Sequence, residues 1–263
     1  MKADVFEGAD AYKRFIGRWS RVLAQSFVRW LTVPLQGQWL DVGCGTGSLT
    51  EAILADAFPK SVVGIDPSSA FIAHATTAQR DPRVSFRVGN AMGLEFASAS
   101  FDAAGCLLVL NFVPDPNAAA AEMRRVVRSG GRVGACVWDY AGEMRMLRTF
   151  WDAARELDPA AAQLDEGPRF PIVRPDALRA CFLGTGFQQV EVLPLSVDMA
   201  FTDFDDFWQP FLGGQGPAGA YAVSLSPEKR QALADRIRSK LSPEADGSIR
   251  MVSRAWAVKG TVP

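Results

Sequence analysis

Residues 40–47 read Leu-Asp-Val-Gly-Cys-Gly-Thr-Gly, and this run limits the possible folds more than any other part of the chain. A carboxylate, Asp41, and three alternate glycines, Gly43, Gly45 and Gly47, end an apolar run just before a helical pattern. Glycine lacks a Cβ, so it accepts positive φ and lets a ligand come close to the backbone. The helix that opens beyond it leaves its first N–H groups unpaired. Strand, glycine loop and helix start therefore make a floor for a bound ligand. The spacing is G-x-G-x-G, not the G-x-G-x-x-G of dinucleotide folds, and no lysine follows as in a phosphate-binding P-loop.

A second signal lies at residues 61–66, Ser-Val-Val-Gly-Ile-Asp, a β-branched run ending in an acid and followed by Pro67-Ser68-Ser69. In open parallel sheets, ligands bind outside the carboxyl ends of the strands. A carboxylate at that tip can accept a hydrogen bond from each hydroxyl of a ribose. The alternative is an acid that caps the next helix, although Ser68 is itself a good N-cap. Strands are expected near 38–43, 61–66, 84–88, 101–108 and 132–138, and helices near 47–57, 68–79 and 117–128. That βαβ rhythm predicts a parallel sheet with right-handed crossovers. Asp115-Pro116 reads as a helix entry, and Gly130-Gly131 as the close of that helix before the fifth strand. Upstream, Trp19, Val22, Leu23, Phe27, Trp30 and Leu31 share the apolar face of an amphipathic helix.

Charge and composition remove several classes of function. The chain has 263 residues, with 28 Lys and Arg against 29 Asp and Glu, and this lack of basic excess argues against a nucleic-acid partner. The longest uncharged apolar stretch, residues 103–113, is too short to span a bilayer. Lys2, Asp4, Glu7 and Asp10 break up the apolar core that a signal peptide needs. Cys44, Cys106, Cys136 and Cys181 form no C-x-x-C pair, which predicts reduced thiols in a cytoplasmic protein.

In order along the chain, these motifs resemble the class I S-adenosylmethionine-dependent methyltransferases, in particular the type 11 group that includes quinone-biosynthesis C-methyltransferases. Residues 41–47 are similar to that family's first motif, 63–68 to its second and 88–92 to its third. Residues 101–116 are similar to the strand-to-helix segment that follows, and 129–133 to the turn before the fifth strand. Residues 12–31 resemble the N-terminal helix of uncharacterised members. The resemblance covers roughly residues 35–140, the size of one domain core. It implies an α/β, Rossmann-like, doubly wound and mostly parallel seven-stranded sheet, closed by a C-terminal antiparallel hairpin of residues 187–199 and 248–259. A single domain spanning 1–263 is expected, with residues 1–34 as a helical cover, 35–140 as the cofactor-binding core and 200–246 as a helical insertion over the site.

The implied cofactor is S-adenosyl-L-methionine, released as S-adenosyl-L-homocysteine. Gly43, Cys44 and Gly45 would take its amino-acid tail and the lower ribose. Asp41 would order the loop and the tail ammonium, or serve the loop's architecture alone. Asp66, with Pro67 and Ser68, would hold the ribose. Adenine recognition falls on Asn90, Ala91 and Met92. The family often has an acid where Asn90 stands, but an amide oxygen accepts as well. Met92 would pack on the ring face or belong to the core, and Leu107 and Leu108 would line the cofactor from the fourth strand. Arg18 either pairs with the cofactor carboxylate or lies on a solvated helix face.

No catalytic residue is assigned. A sulfonium is already a good leaving group, and well-aligned reactants reach effective molarities of about 10⁵–10⁸ M. His74, the only histidine, sits mid-helix and points away from the strand tips. Trp138, Asp139 and Tyr140 follow the fifth strand. Asp139 or Tyr140 would orient or deprotonate an acceptor, or be a strand end and a packing aromatic. Asn111-Phe112-Val113-Pro114 is not the Asn-Pro-Pro-aromatic motif of amino-nitrogen enzymes, no Pro-Cys pair offers a cytosine-attacking thiol, and no acidic cluster suggests a metal. Aromatics of the second half, among them Phe150, Trp151, Phe207, Trp208 and Phe211, suit an apolar lid or helical core. The expected acceptor is a small, partly apolar molecule, with the protein a monomer or homodimer. A non-catalytic cofactor-binding protein and a nicotinamide oxidoreductase are the alternatives.

Overall fold

The structure, a computed structural model, describes residues 13–263; residues 1–12, and with them the start of the expected N-terminal cover, lie outside the described residues. The chain divides into two compact units. A core unit holds residues 20–138, 172–195 and 256–263, and a helical unit holds residues 13–19, 139–171 and 196–255. Among the described residues no helix is long and apolar enough to cross a membrane.

Seven strands form one sheet: β1 (Gln38–Val42), β2 (Ser61–Asp66), β3 (Val84–Val88), β4 (Phe101–Leu107), β5 (Val127–Trp138), β6 (Gln188–Phe201) and β7 (Ile249–Thr261). Their order is β3-β2-β1-β4-β5-β7-β6, and β6 and β7 contribute residues to both units. The pairs β1–β2, β2–β3, β1–β4 and β4–β5 are parallel, and the C-terminal hairpin is antiparallel. The chain winds outward from β1 in one direction and from β4 in the other. A crevice is therefore expected at their carboxyl ends, where the two halves part. The helices of the core unit are α1 (Arg18–Leu31, which begins at the unit boundary), α2 (Ser48–Asp56), α3 (Ser69–Ala78) and α4 (Pro116–Val126).

Local chemistry accounts for these elements. Ser68 Oγ accepts the Phe71 N–H at 3.3 Å and starts α3. Asp115 accepts from Asn117 N and Ala118 N, with Pro116 in the first turn of α4. Along α1, Leu23, Ala24, Phe27 and Leu31 are buried while Arg21, Gln25 and Arg29 are exposed. Val22, expected on the apolar face, turns outward at 46% exposed. Its neighbour Leu23 takes the buried position, because adjacent helical residues point about 100° apart. A Cβ on Gly134 of β5 would stand 2.3 Å from Leu31 Cδ2, so the missing side chain lets α1 lie directly on the sheet.

Gly130-Gly131 behaves differently from expectation. Helix α4 ends at Val126, and β5 begins at once at Val127, so the glycine pair lies inside the strand. Pairing with β4 jumps there from Phe101↔Val127 to Ala103↔Arg132. The extra residues bulge out at Gly130, whose φ is +78°. A Cβ on Gly131 would stand 2.4 Å from Val127 Cγ1 and 2.6 Å from the Asp102 carbonyl oxygen. What reads as a helix stop is a strand bulge that sits too close to its neighbour for any side chain.

The helical unit contains α5 (Arg145–Leu157), α6 (Glu166–Arg169), α8 (Phe204–Trp208), α9 (Gly216–Ser224) and α10 (Pro227–Lys240), while α7 (Pro175–Gly184) belongs to the core unit. Residues 168–175 include the end of α6 and a 3₁₀ turn. The aromatics of this unit pack on one another. Phe150 stacks on Phe211 at 4.7 Å between ring centroids and meets Trp151 edge-on at 5.1 Å, and all three rings are fully buried. They are the core of the unit.

Gly131→Ala is expected to lower the stability of the protein by about 1–3 kcal/mol, the usual cost of overpacking. Urea denaturation followed by circular dichroism measures it, and a wild-type midpoint would show that the bulge has room to relax.

Candidate functional site

The loop after β1 is shaped by the end of β2. Gly43 N and Cys44 N both donate to the Ile65 carbonyl at 2.8 Å. One residue on, Gly45 N donates to Asp66 Oδ2 at 3.0 Å, and Ser68 N donates to Asp66 Oδ1 at 2.8 Å. The buried Asp66 carboxylate thus joins the glycine loop to the turn that opens α3. Each oxygen keeps a further lone pair for a ligand hydroxyl. Burial pushes its pKa above the ordinary value, and the Ser68 and Gly45 N–H groups pull it back. The helix-cap alternative is taken by Ser68, whose own oxygen caps α3.

Gly43 and Gly45 need to be glycine for different reasons. At φ +74° a Cβ on Gly43 would stand 2.5 Å from Val109 Cγ1, so the loop is pressed against the residues just beyond β4. At φ +51° a Cβ on Gly45 would meet nothing within 4 Å. That side of the loop is open, which is what close approach of a ligand to bare backbone requires.

Asp41 is fully buried in β1. Its Oδ2 accepts from Thr50 Oγ1 at 2.7 Å, while Oδ1 has no hydrogen-bond partner among the described residues. Burial pushes its carboxyl up to about 7; Thr50 pulls it down, and the nearby Asp66 adds a smaller upward push. An unpaired carboxylate oxygen in such a place is costly unless a donor reaches it. A cationic ammonium from a bound ligand would supply that donor. The sequence reading missed Thr50; its signal was a hydroxyl in the first turn of α2, nine residues after Asp41. Cys44 is buried, and burial, with Asp41 and Asp66 close by, raises its thiol pKa, so it is a small loop residue and not a nucleophile.

At the tip of β3, Asn90 Oδ1 accepts Met92 N at 2.9 Å and Gly93 N donates to Asn90 O at 3.1 Å, which closes a turn. Asn90 is exposed, with Ala91 and Met92 half-buried beside it. Its oxygen has one lone pair left to offer. Leu107 and Leu108 are buried at the end of β4. Leu108 has φ +61°, a region costly for a leucine, and Leu108 N donates to Cys136 O at 2.7 Å to hold it. Pro67 is exposed next to Asp66.

The remaining candidates divide between the units. Trp138 is buried at the end of β5 in the core unit. Arg18, Asp139 and Tyr140 belong to the helical unit. Arg18 Nη1 donates to Asp206 at 3.0 Å, and its guanidinium lies over Trp19 and Phe201 at 4.5 and 4.9 Å from the ring centroids. Asp139 is buried and accepts from Arg254 Nε and Nη2 at 2.9 and 2.6 Å and from Glu143 N at 2.9 Å. That carboxylate ties the start of the unit to β7, a role the sequence reading did not foresee because Arg254 lies 115 residues away. Tyr140 is buried, 6.4 Å from Phe170 between ring centroids. Among the described residues no cluster of His, Cys, Asp and Glu could hold a metal ion.

Comparison with known proteins shows what this chain is similar to. Residues 40–135, from β1 to β5, match the model of a methyltransferase domain. A 2-methyl-6-phytyl-1,4-hydroquinone methyltransferase from Synechocystis is 29% identical over 189 residues, covering 70% of this chain and 58% of that protein. The chain spans about half the length of the curated relatives it matches. Among solved structures, Haemonchus contortus phosphoethanolamine N-methyltransferase 2, in complex with S-adenosyl-L-methionine, superposes with a TM-score of 0.61 at 17% identity, over 97% of this chain and 57% of that one. The [4+2]-cyclase SpnF superposes with a TM-score of 0.56 at 19% identity, over 92% of this chain and 80% of that one. At these identities the likeness is one of fold.

Asp41→Asn removes a buried charge and retains an acceptor for Thr50. A carboxyl raised from 3.8 to about 7 in the fold stabilises most below its unfolded pKa and loses that contribution as pH rises through 7. The stability of the variant relative to wild type should therefore grow by about 2–3 kcal/mol from pH 5 to pH 8. Denaturant titrations at the two pH values test this, and parallel profiles would mean that Asp41 is ionised at both.

Proposed function

We propose that this chain, whose residues 40–135 belong to the methyltransferase-domain family, transfers the methyl group of S-adenosylmethionine to a small, partly apolar acceptor. The observation that carries this reading is Asp66 latched to Gly45 within the matched segment: an acceptor carboxylate at the tip of β2, facing a loop with an open backbone. The residues present fit the cofactor. The unpaired Oδ1 of Asp41 suits the tail ammonium, and the bare side of Gly45 suits the tail and lower ribose. Asp66 would accept from both ribose hydroxyls while its backbone bonds keep it aimed. Asn90 would offer its remaining lone pair to the adenine amino group, with Met92 against the ring and Leu107 and Leu108 below it.

When bound, the cofactor supplies a methyl on a cationic sulfur that departs as a neutral thioether. The protein's task is then alignment and exclusion of water, for which no dedicated base is needed. A dinucleotide suits this loop poorly. The loop's G-x-G-x-G spacing differs from the G-x-G-x-x-G with which dinucleotide folds bring the backbone up to a pyrophosphate. A cofactor-binding protein that transfers nothing is the second reading, because the same fold occurs in a protein named as a cyclase.

Calorimetry tests both aspartates. Asp66→Ala deletes two hydrogen bonds to a charged acceptor, about 1.5–3 kcal/mol each, so S-adenosylhomocysteine should bind at least about 100-fold more weakly. Unchanged affinity would remove Asp66 from the ribose. For Asp41, mostly protonated at pH 6 in the free protein, pairing with an ammonium lowers its pKa and expels a proton. The binding enthalpy at pH 6 should then vary with the ionisation enthalpy of the buffer, whereas identical enthalpies in all buffers would contradict the pairing.

A further inference from the structure

The helical unit carries a groove of its own, about 340 Å³, between α10 and the run made by α8 and the 3₁₀ turn Gln209–Gly213. Every residue lining it belongs to that unit. Phe204, Trp208 and Leu212 give an apolar wall, in which the two rings are buried and stacked, with 6.5 Å between centroids and 19° between planes. The other wall is Arg230, Ala234 and Arg238. These follow at i, i+4 and i+8, one face of α10, and eight residues rise about 12 Å along a helix. An arginine therefore stands at each end of that face, and the alanine between them leaves the middle of the groove open.

Among the described residues, neither guanidinium is bonded to an acid, yet both are held in place. Arg230 Nε donates to Ala222 O, and its Nη2 to Val223 O and Leu225 O, each at 3.0 Å. Those bonds cover carbonyls at the end of α9 and leave the Nη1 of Arg230 over. Arg238 lies over the Phe204 ring, 4.0 Å from its centroid. A cation–π contact consumes none of the N–H donors of a guanidinium. Two positions to either side of Arg238, Arg236 and Lys240 both pair with Glu156, so the charge on that face of α10 is answered within the fold. In the groove, Asp205 is the one acid on the lining against two arginines, which leaves one positive charge over.

We propose that this groove is a second binding site, and that it takes a small amphipathic monocarboxylate. The fork of a guanidinium matches the two oxygens of a carboxylate, and Arg238 keeps its fork unspent. An alkyl chain or ring on the carboxylate lies along the wall of Phe204, Trp208 and Leu212. One negative charge balances the groove, whereas a phosphate dianion overshoots it and stands near Asp205. An inorganic anion leaves the apolar wall in water, and a neutral lipid leaves the guanidiniums unmet. At about 340 Å³ the groove is at the small end of ligand pockets, too small for a helix or a nucleic-acid strand. Its occupant touches both α8 and α10 and so ties them together. None of the residues involved is among those assigned to the cofactor, and the proposal stands independently of the methyl-transfer reading.

Octanoate is the probe, titrated calorimetrically into the full chain beside acetate, octanol, octyl phosphate and octyltrimethylammonium. Octanoate should bind at least about tenfold more tightly than each of the others, because it alone meets both the wall and the charge. In wild type it should slow amide hydrogen exchange in residues 204–212 and 227–238, the two walls of the groove. Arg238→Gln, at an exposed position, should weaken octanoate about fivefold or more through loss of a charge-assisted bond. Gln209→Trp fills the groove from its exposed lining and should weaken octanoate by about tenfold or more. Acetate or octanol binding as tightly as octanoate, or a preference for octyl phosphate or the ammonium, would overturn the proposal. So would octanoate affinity unchanged in both variants, or exchange slowed outside the two segments and not in them. The exchange measurement uses wild type alone, so it decides the matter even where a variant fails to fold.

Discussion

The loop after β1 has no helix or ladder of its own to define it, and its shape comes from the neighbouring strand. Two N–H groups converge on the Ile65 carbonyl, and a third reaches the carboxylate of the next residue. These bonds set the loop at the height of the β2 tip, and Asp66 passes the constraint on to the first turn of α3 through Ser68 N. From the other side, Val109 fills the space where a side chain on Gly43 would be. Everything else at this end of the core unit, from the orientation of Asp41 to the turn after β4, depends on the loop keeping that position. A preorganised floor of this kind spares a ligand the entropy of ordering it.

The features that could be read in the sequence were those whose cause is local. The G-x-G-x-G spacing, the acid after a β-branched run and the Ser and Asp caps each act within a few residues, and each stands where the pattern put it. The βαβ rhythm pointed to the parallel pairing of the sheet, and its doubly wound form with a C-terminal hairpin was implied by the resemblance. What escaped depends on residues far apart in the chain. The Gly130-Gly131 pair looks the same locally whether it ends a helix or bulges a strand, and only the closeness of Asp102 across the sheet decides it. The pairings Arg18–Asp206 and Asp139–Arg254 join residues 188 and 115 positions apart, and no period or motif announces them.

Buried charge is handled differently in the two units. In the helical unit, Arg148 clamps Asp165 through both terminal nitrogens, and Trp151 Nε1 donates to Glu166. Burial pushes Glu166 up to about 7, with Trp151 pulling it down and Asp165 adding a smaller push upward. Paired or bonded groups of this sort contribute little net stability, but removing one partner leaves the other buried and uncompensated. Asp41 in the core unit also sits near 7, and half of its carboxylate is unpaired. In one unit the buried acid is bonded within the fold; in the other, one oxygen of the buried acid has no partner among the described residues.

All four cysteines, Cys44, Cys106, Cys136 and Cys181, are free and buried, and all four lie in the core unit. Burial is the main cause that raises every one of their thiol pKa values. Thiolate is the reactive form, so an alkylating reagent has almost nothing to attack while this unit stays closed. The helical unit has no thiol to confuse the signal. The chain therefore comes with its own chemical clock: the rate at which thiols become modifiable reads out how often the sheet and its glycine loop open.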